Sequence, residues 1–116
     1  MVSIRELGET GIIVVEPGAQ LSFQTAAEVL KAVQADPSTV GQSVIINMKK
    51  TSIIDRSGVS GLMKVMKHTT QTGGHFALVA LQPSVHRMLN SMSLNRVIDI
   101  YETESLAQRN MITRPK

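Results

Sequence analysis

The segment Ile53-Ile54-Asp55-Arg56-Ser57-Gly58 sets a carboxylate and a hydroxyl at the start of an amphipathic helical pattern. From Ser57 onward, Val59, Leu62, Met63 and Met66 fall at i, i+3, i+4 and i+7, the spacing of one buried helical stripe, while Lys64, Lys67 and His68 point elsewhere. Asp55 suits the N-cap, its carboxylate accepting a backbone N–H from residue 57 or 58. Ser57 then sits in the first helical turn, where free N–H groups and the positive end of the macrodipole favour added negative charge. The chemistry this supports is phosphorylation, which adds about −1.5 to −2 charge at pH 7. Capping explains Asp55 more simply than catalysis does, because acid–base work needs a second converging group that the sequence does not offer.

Other chemistry finds less support. Gly58-Val59-Ser60-Gly61 misses the G-x-S-x-G spacing of a nucleophile elbow by one residue, and Ser60 falls off the buried stripe. Neither a G-x-x-x-x-G-K-[ST] phosphate loop nor a G-x-G-x-x-G fingerprint occurs. His68, His75 and His86 lie seven and eleven residues apart, with no His-x-x-x-His pair to build a metal site. There is no cysteine, which excludes disulfides, thiolate catalysis and cysteine-held metals. The chain is therefore expected to be no enzyme and to need no cofactor or metal. A net charge of +3 permits an acidic partner, but Phe23, Phe76 and Tyr101 are the only aromatic residues, too few for the stacking platforms of nucleic-acid binding. Met63, Met66, Met88 and Met92 lie on helical stripes, so core packing is their default role.

The elements that must position Ser57 can be read from periodicity. With 42% hydrophobic and 18% charged residues in 116, the expectation is a single domain over 1–116 with a flexible tail at about 111–116. No apolar run approaches the roughly 20 residues of a bilayer span. Arg5, Glu6 and Glu9 stand where a signal peptide would be apolar, so cytoplasmic placement without membrane insertion is expected. Ala26, Val29, Leu30 and Val33 form a first helical stripe after a capping box of Thr25 and Glu28, ending by Pro37. The stripe after Ser57 stops at Gly73-Gly74, and Val85, Met88, Leu89 and Met92 form a third stripe behind Pro83-Ser84. Strands are predicted at Ile12 to Val15, Ser43 to Met48, His75 to Leu81 and Val97 to Tyr101. Ser3 to Leu7 is predicted to pair with Ile12 to Val15 as an edge hairpin across Gly8 to Gly11, and a short last helix to run from Thr103 to Arg109. The order β-β-α-β-α-β-α-β-α argues for an α/β fold, a mixed, mostly parallel sheet of about five strands with helices packed on it.

Three stretches in this order, Val44-Ile45-Ile46-Asn47-Met48, Ile53-Ile54-Asp55-Arg56-Ser57-Gly58-Val59 and Gly73-Gly74-His75-Phe76-Ala77-Leu78-Val79, resemble the STAS domain family, which includes the anti-sigma factor antagonists. The resemblance continues through Val85 to Leu94 and Val97 to Ala107 and so covers nearly the whole chain. It implies a non-enzymatic interaction switch. A serine/threonine kinase of the anti-sigma factor type would phosphorylate the residue before the glycine, here Ser57. The unphosphorylated domain would bind that kinase or anti-sigma factor, and a serine phosphatase would reset it. On this reading Asp55, Arg56, Ser57, Gly58, Val59, Ser60, Gly61 and Lys64 form the partner interface, with Gly58 admitting the partner's backbone.

The chain departs from the family pattern at three positions. Arg56 replaces a small serine beside the acceptor, Asn47 stands where an Asp is common, and Ser22 does the same after Gly18-Ala19-Gln20-Leu21. Arg56 can pair with a phosphate, or it can meet a kinase surface different from the usual one. Together the changes suggest a partner more acidic than usual. The alternative reading is a constitutive subunit of a transporter ATPase or signalling scaffold, with Ser57 a plain helix-start residue. A third would make Asp55 and Ser57 part of a phosphate-handling enzyme site. Partner identity, pathway and oligomeric state are not encoded in anything this sequence displays.

Overall fold

Ser43-Val44-Ile45-Ile46-Asn47 shows no polar alternation and is buried along its whole length, as a strand covered on both faces must be. It is the centre of the computed structural model, which describes residues 2–7, 10–35 and 42–113. In chain order the elements are β1 (Ser3–Glu6), β2 (Ile12–Glu16), β3 (Gln20–Leu21), α1 (Phe23–Ala35), β4 (Ser43–Asn47), β5 (Ile53–Ile54), α2 (Arg56–Gln71), β6 (Phe76–Val79), α3 (Pro83–Ser91), β7 (Asp99–Tyr101) and α4 (Glu104–Thr113). A 3-10 turn at Leu94–Arg96 precedes β7.

The main sheet has five strands in the order β1-β2-β4-β6-β7. Only the β1–β2 pair is antiparallel; β2–β4, β4–β6 and β6–β7 are parallel. Each crossover therefore moves one strand further in the same direction, and right-handed connections then put α1, α2 and α3 on the same face. Ile13, Val15, Val44, Ile46, Phe76 and Leu78 pack against that helical layer. The alternate residues Ile12, Val14, Ile45, Ala77 and Val79 point the other way, onto Ala107 and Met111 of α4.

Several boundaries differ from the sequence reading. The capping box at Thr25 and Glu28 is not formed: α1 begins at Phe23, and Ser22 Oγ accepts the Thr25 N–H at 3.2 Å. Ser22 precedes the first helical residue, so its hydroxyl and not that of Thr25 reaches a free N–H of the first turn. On α2 the buried set is Gly58, Val59, Gly61, Leu62, Val65 and Thr69, with Met63 and Met66 at its half-buried margin. The stripe is thus rotated from the predicted one, because small glycines rather than methionines face the neighbouring elements. The strand expected from Val97 begins only at Asp99, since the 3-10 turn occupies the preceding residues and leaves Val97 exposed. The last helix continues to Thr113, past the expected end at Arg109, and buries Met111. Gly8 of the predicted hairpin turn, Pro37 and residues 114–116 lie outside the described residues.

Gly61 fixes the distance between α1 and α2. A Cβ built on it would stand 2.3 Å from Ala26 Cβ, so the helices touch where neither carries more than a methyl group. Gly61→Ala sets a gain in helix propensity of about 1 kcal/mol against an overpacking cost of about 1–3 kcal/mol. The clash is with a methyl that cannot rotate away, which puts the overpacking cost at about 2–3 kcal/mol and leaves a net destabilisation of about 1–2 kcal/mol. A lowered urea midpoint at unchanged m-value checks it; an unchanged or raised midpoint refutes the helix contact.

Candidate functional site

Two loops must be held together before α2 can start where it does. The two-residue strands β3 and β5 pair in parallel, Gln20 with Ile53 and Leu21 with Ile54. The buried Thr51 hydroxyl donates to the Gly18 carbonyl at 2.6 Å, and the Ser52 N–H donates to the Ala19 carbonyl at 3.0 Å. This small parallel clip was not read from the sequence, because two residues are too few for periodicity to register. Within it neighbouring side chains point to opposite sides: Ile54 packs on the core and Ile53 is 60% exposed.

Asp55 follows with an extended backbone (φ −122°, ψ 175°) and caps α2, its Oδ1 accepting the Gly58 N–H at 2.7 Å. Its backbone carbonyl accepts the Val59 N–H at 3.0 Å, the first bond of the helix. The helix offers no acceptor to the N–H groups of Arg56 and Ser57, which leaves them at its positive end. The Ser57 side chain is exposed there. An added phosphate would meet two backbone donors and the aligned helix dipole, with Arg56 adjacent in sequence.

The structure separates the eight residues expected to form an interface. Asp55, Arg56, Ser57, Ser60 and Lys64 are exposed, whereas Gly58, Val59 and Gly61 are buried. A Cβ on Gly58 would lie 2.0 Å from the Leu21 carbonyl oxygen, so this glycine admits β3 of its own chain and not the backbone of a partner. Val59 packs in the core. Phe23, which the sequence reading left out of the site, is 63% exposed, and the Lys64 ammonium lies 6.0 Å from its ring centroid. Phe23 precedes Ala26, Leu30 and Val33 at helical spacing, so periodicity alone would have buried it. Its exposure is decided by the position of α2.

Arg56, Ser60, Lys64, Lys67 and Gln71 fall at i, i+4, i+8, i+11 and i+15 of α2, and all are exposed. The helix contains no acidic residue. Its outer face is therefore a cationic stripe headed by Ser57, with Asp55 the one carboxylate at its origin.

Two of the family departures have local explanations. Ser22 is the α1 cap. Asn47, buried at the end of β4, donates from Nδ2 to Glu104 Oε2 at 2.6 Å and accepts the Lys49 N–H at 3.0 Å. A carboxylate there would oppose the carboxylate of Glu104. Arg5 also bonds Glu104, tying the edge strand to α4. Burial works against ionisation of Glu104, but the Asn47 and Arg5 hydrogen bonds and the charges of Arg5 and Lys49 outweigh it and hold the carboxyl below its ordinary value. Only Arg56 remains as a departure on the exposed face.

Among the described residues, two of the solvent-open cavities bear on the site. One of about 270 Å³ lies among Ala80, Leu81, His86, Ile100, Tyr101 and Glu102 and shares no lining residue with the Asp55–Lys64 segment. The other, of about 70 Å³, is an apolar groove between α1 and α2 with Phe23 and Lys64 at its rim. Among the described residues no group of His, Asp and Glu could hold a metal ion, and no helix is long and apolar enough to cross a membrane.

Residues 4–107 match the STAS domain family. The chain is 25% identical over 95 residues to an anti-sigma F factor antagonist of Paenibacillus polymyxa, a match covering 81% of each protein. Among solved structures it resembles an anti-sigma-factor antagonist (STAS) domain protein from Planctomyces limnophilus (TM-score 0.76, 21% identity, 95% of this chain and 98% of that one). It also resembles a sulfate transporter family protein from Wolinella succinogenes (TM-score 0.79, 13% identity, 94% and 93%). At these identities the structural likeness is one of fold.

Asp55→Ala should cost about 1 kcal/mol of stability by removing the α2 cap, read as a lower thermal midpoint; no change would mean that the cap is dispensable. Glu104 gives a pH signature. Its folded pKa lies below the unfolded one, so its contribution is present above the ordinary carboxyl value and is lost as pH falls through the folded value. The Glu104→Gln variant should have a lower melting temperature than the parent at neutral pH, with the gap narrowing on acidification. A gap that stays constant down to acid pH refutes this role.

Proposed function

The chain belongs to the STAS domain family, and on that basis we propose that it is a non-enzymatic, cytoplasmic protein-interaction switch of the anti-sigma factor antagonist kind. In this reading the face formed by Asp55, Arg56, Ser57, Ser60 and Lys64 binds a serine/threonine kinase or anti-sigma factor. Phosphorylation of Ser57 by that kinase releases it, and a serine phosphatase restores binding. The observation that carries the reading is the exposed Ser57 hydroxyl in the first turn of α2, at the head of a cationic stripe.

The physics of release follows from charge. An unmodified stripe of Arg56, Lys64 and Lys67 attracts an acidic partner and speeds encounter. A phosphate on Ser57 brings about −1.5 to −2 charge to the head of that stripe. It engages Arg56 and the free N–H groups of the first turn, and it repels the partner's carboxylates. The modification is thus tolerated by the domain and opposed by the complex. The antagonist named in the Paenibacillus match fits this reading.

Incubation with ATP and an anti-sigma factor-type kinase, sought among the genes adjacent to its own, should place phosphate on Ser57 and on no other residue. Ser57→Ala should bind that kinase but accept no phosphate, and Ser57→Asp should bind at least about tenfold more weakly, a change of 1.4 kcal/mol. Binding of the parent should also weaken with salt over the range in which surface charges become screened. Absence of phosphate at residue 57 together with full binding by Ser57→Asp would leave Ser57 a plain helix-start residue and point to a constitutive assembly subunit.

A further inference from the structure

The α1–α2 groove has features that the phosphorylation switch does not require. At about 70 Å³ it is well below the roughly 300 Å³ at which cofactor and drug-sized ligand sites begin. It has room for one aliphatic side chain. Its floor is made by Ala26 and Gly61, which meet too closely to admit larger groups, and its walls by Ala27 and Leu30. Phe23 stands over one end, more than half exposed, held beneath the Lys64 ammonium. A large aromatic side chain left in water beside an apolar recess is the kind of anchor that interface hot spots use.

The charge around the recess selects the occupant. On α1, Glu28 and Lys31 offset each other, and α2 contributes Lys64 and Lys67 with no acid. An apolar partner with basic flanks would be repelled, and a neutral one would leave these cations without counter-charge. From this we infer that the groove receives an acidic amphipathic segment of the binding partner, one aliphatic side chain seated between Phe23 and Leu30 and carboxylates facing Lys64 and Lys67. Such segments carry an apolar side chain on one face, and the groove between the two helices takes a single one of these anchors. The anchor lies along α2 from Ser57, so it deepens the switch reading and rests on it for the partner's identity. It adds a second point of attachment that phosphorylation does not touch.

The test uses the isotope-labelled full chain and two short helical probe peptides. One has leucines at i, i+4 and i+7 flanked by glutamates, and its twin carries lysines in their place. The acidic peptide should shift the amide resonances of Phe23, Ala27, Leu30 and Lys64, and the basic twin should bind at least about tenfold more weakly. Phe23→Ala should weaken the acidic peptide about tenfold, and Lys64→Glu should reverse the preference between the peptides. Equal binding of both peptides, shifts confined to other surfaces, or concentration-dependent shifts without peptide that reveal a second copy in the groove would each overturn the inference. The adjacent kinase separates the two readings. If Ser57→Asp impairs kinase binding and Phe23→Ala does not, the groove fails and the switch stands. If the acidic peptide seats in the groove while the kinase ignores the protein, the groove stands and the switch fails.

Discussion

Two absent side chains govern which face α2 presents to solvent. At Gly58 the backbone of β3 comes so near α2 that a Cβ would fall 2.0 Å from the Leu21 carbonyl oxygen, and at Gly61 it would fall 2.3 Å from Ala26 Cβ. These contacts rotate α2 about its own axis until the glycines face inward. Once that rotation is set, the rest of the helix follows at 100° per residue, because an α-helix is stiff over its sixteen residues. Val59, Leu62 and Val65 are carried into the core, and Arg56, Ser60, Lys64 and Lys67 onto the surface. Phe23, one turn before Ala26, lies at the edge of that contact and is 63% exposed.

The electrostatic arrangement is asymmetric in a useful way. Asp55 spends its carboxylate on the Gly58 N–H, so the one acid at the head of α2 is already committed. The remaining donors of the first turn and the cations of the stripe are available to an anion from outside or to one added at Ser57. On the opposite face of the sheet the balance is closed: Glu104 is satisfied by Asn47 and Arg5, and that cluster joins β1, β4 and α4 into one unit. One charged cluster stabilises the scaffold, and the other faces solvent with no acid in ion-pair contact among the described residues.

The fold does not by itself decide between uses of that face. A sulfate transporter family protein shares the architecture with a TM-score of 0.79 at 13% identity, so the β/α order is compatible with different assemblies. What separates one use from another is the chemistry of the exposed surface, and here it consists of a hydroxyl at a helix N-terminus, a row of cations and an exposed aromatic ring. The small size of the α1–α2 groove favours a protein partner over a metabolite there.

The sequence by itself determined the order of the main strands and helices, because short unbroken apolar runs and apolar stripes of period 3.6 are local consequences of which faces must be dry. It also determined the Asp55 cap, whose donor and acceptor are three residues apart. Interactions of that range need no knowledge of the rest of the chain. The β3–β5 clip was not legible, because its hydrogen bonds join residues more than thirty positions apart through strands two residues long. The burial of Gly58 and Gly61, the exposure of Phe23 and the pairing of Asn47 with Glu104 were hidden for the same reason. Each depends on how closely two distant elements approach, and helical or strand periodicity states which face is apolar but not how near its neighbour will come. Tertiary packing alone decided that distance, and with it which residues around Ser57 a partner can touch.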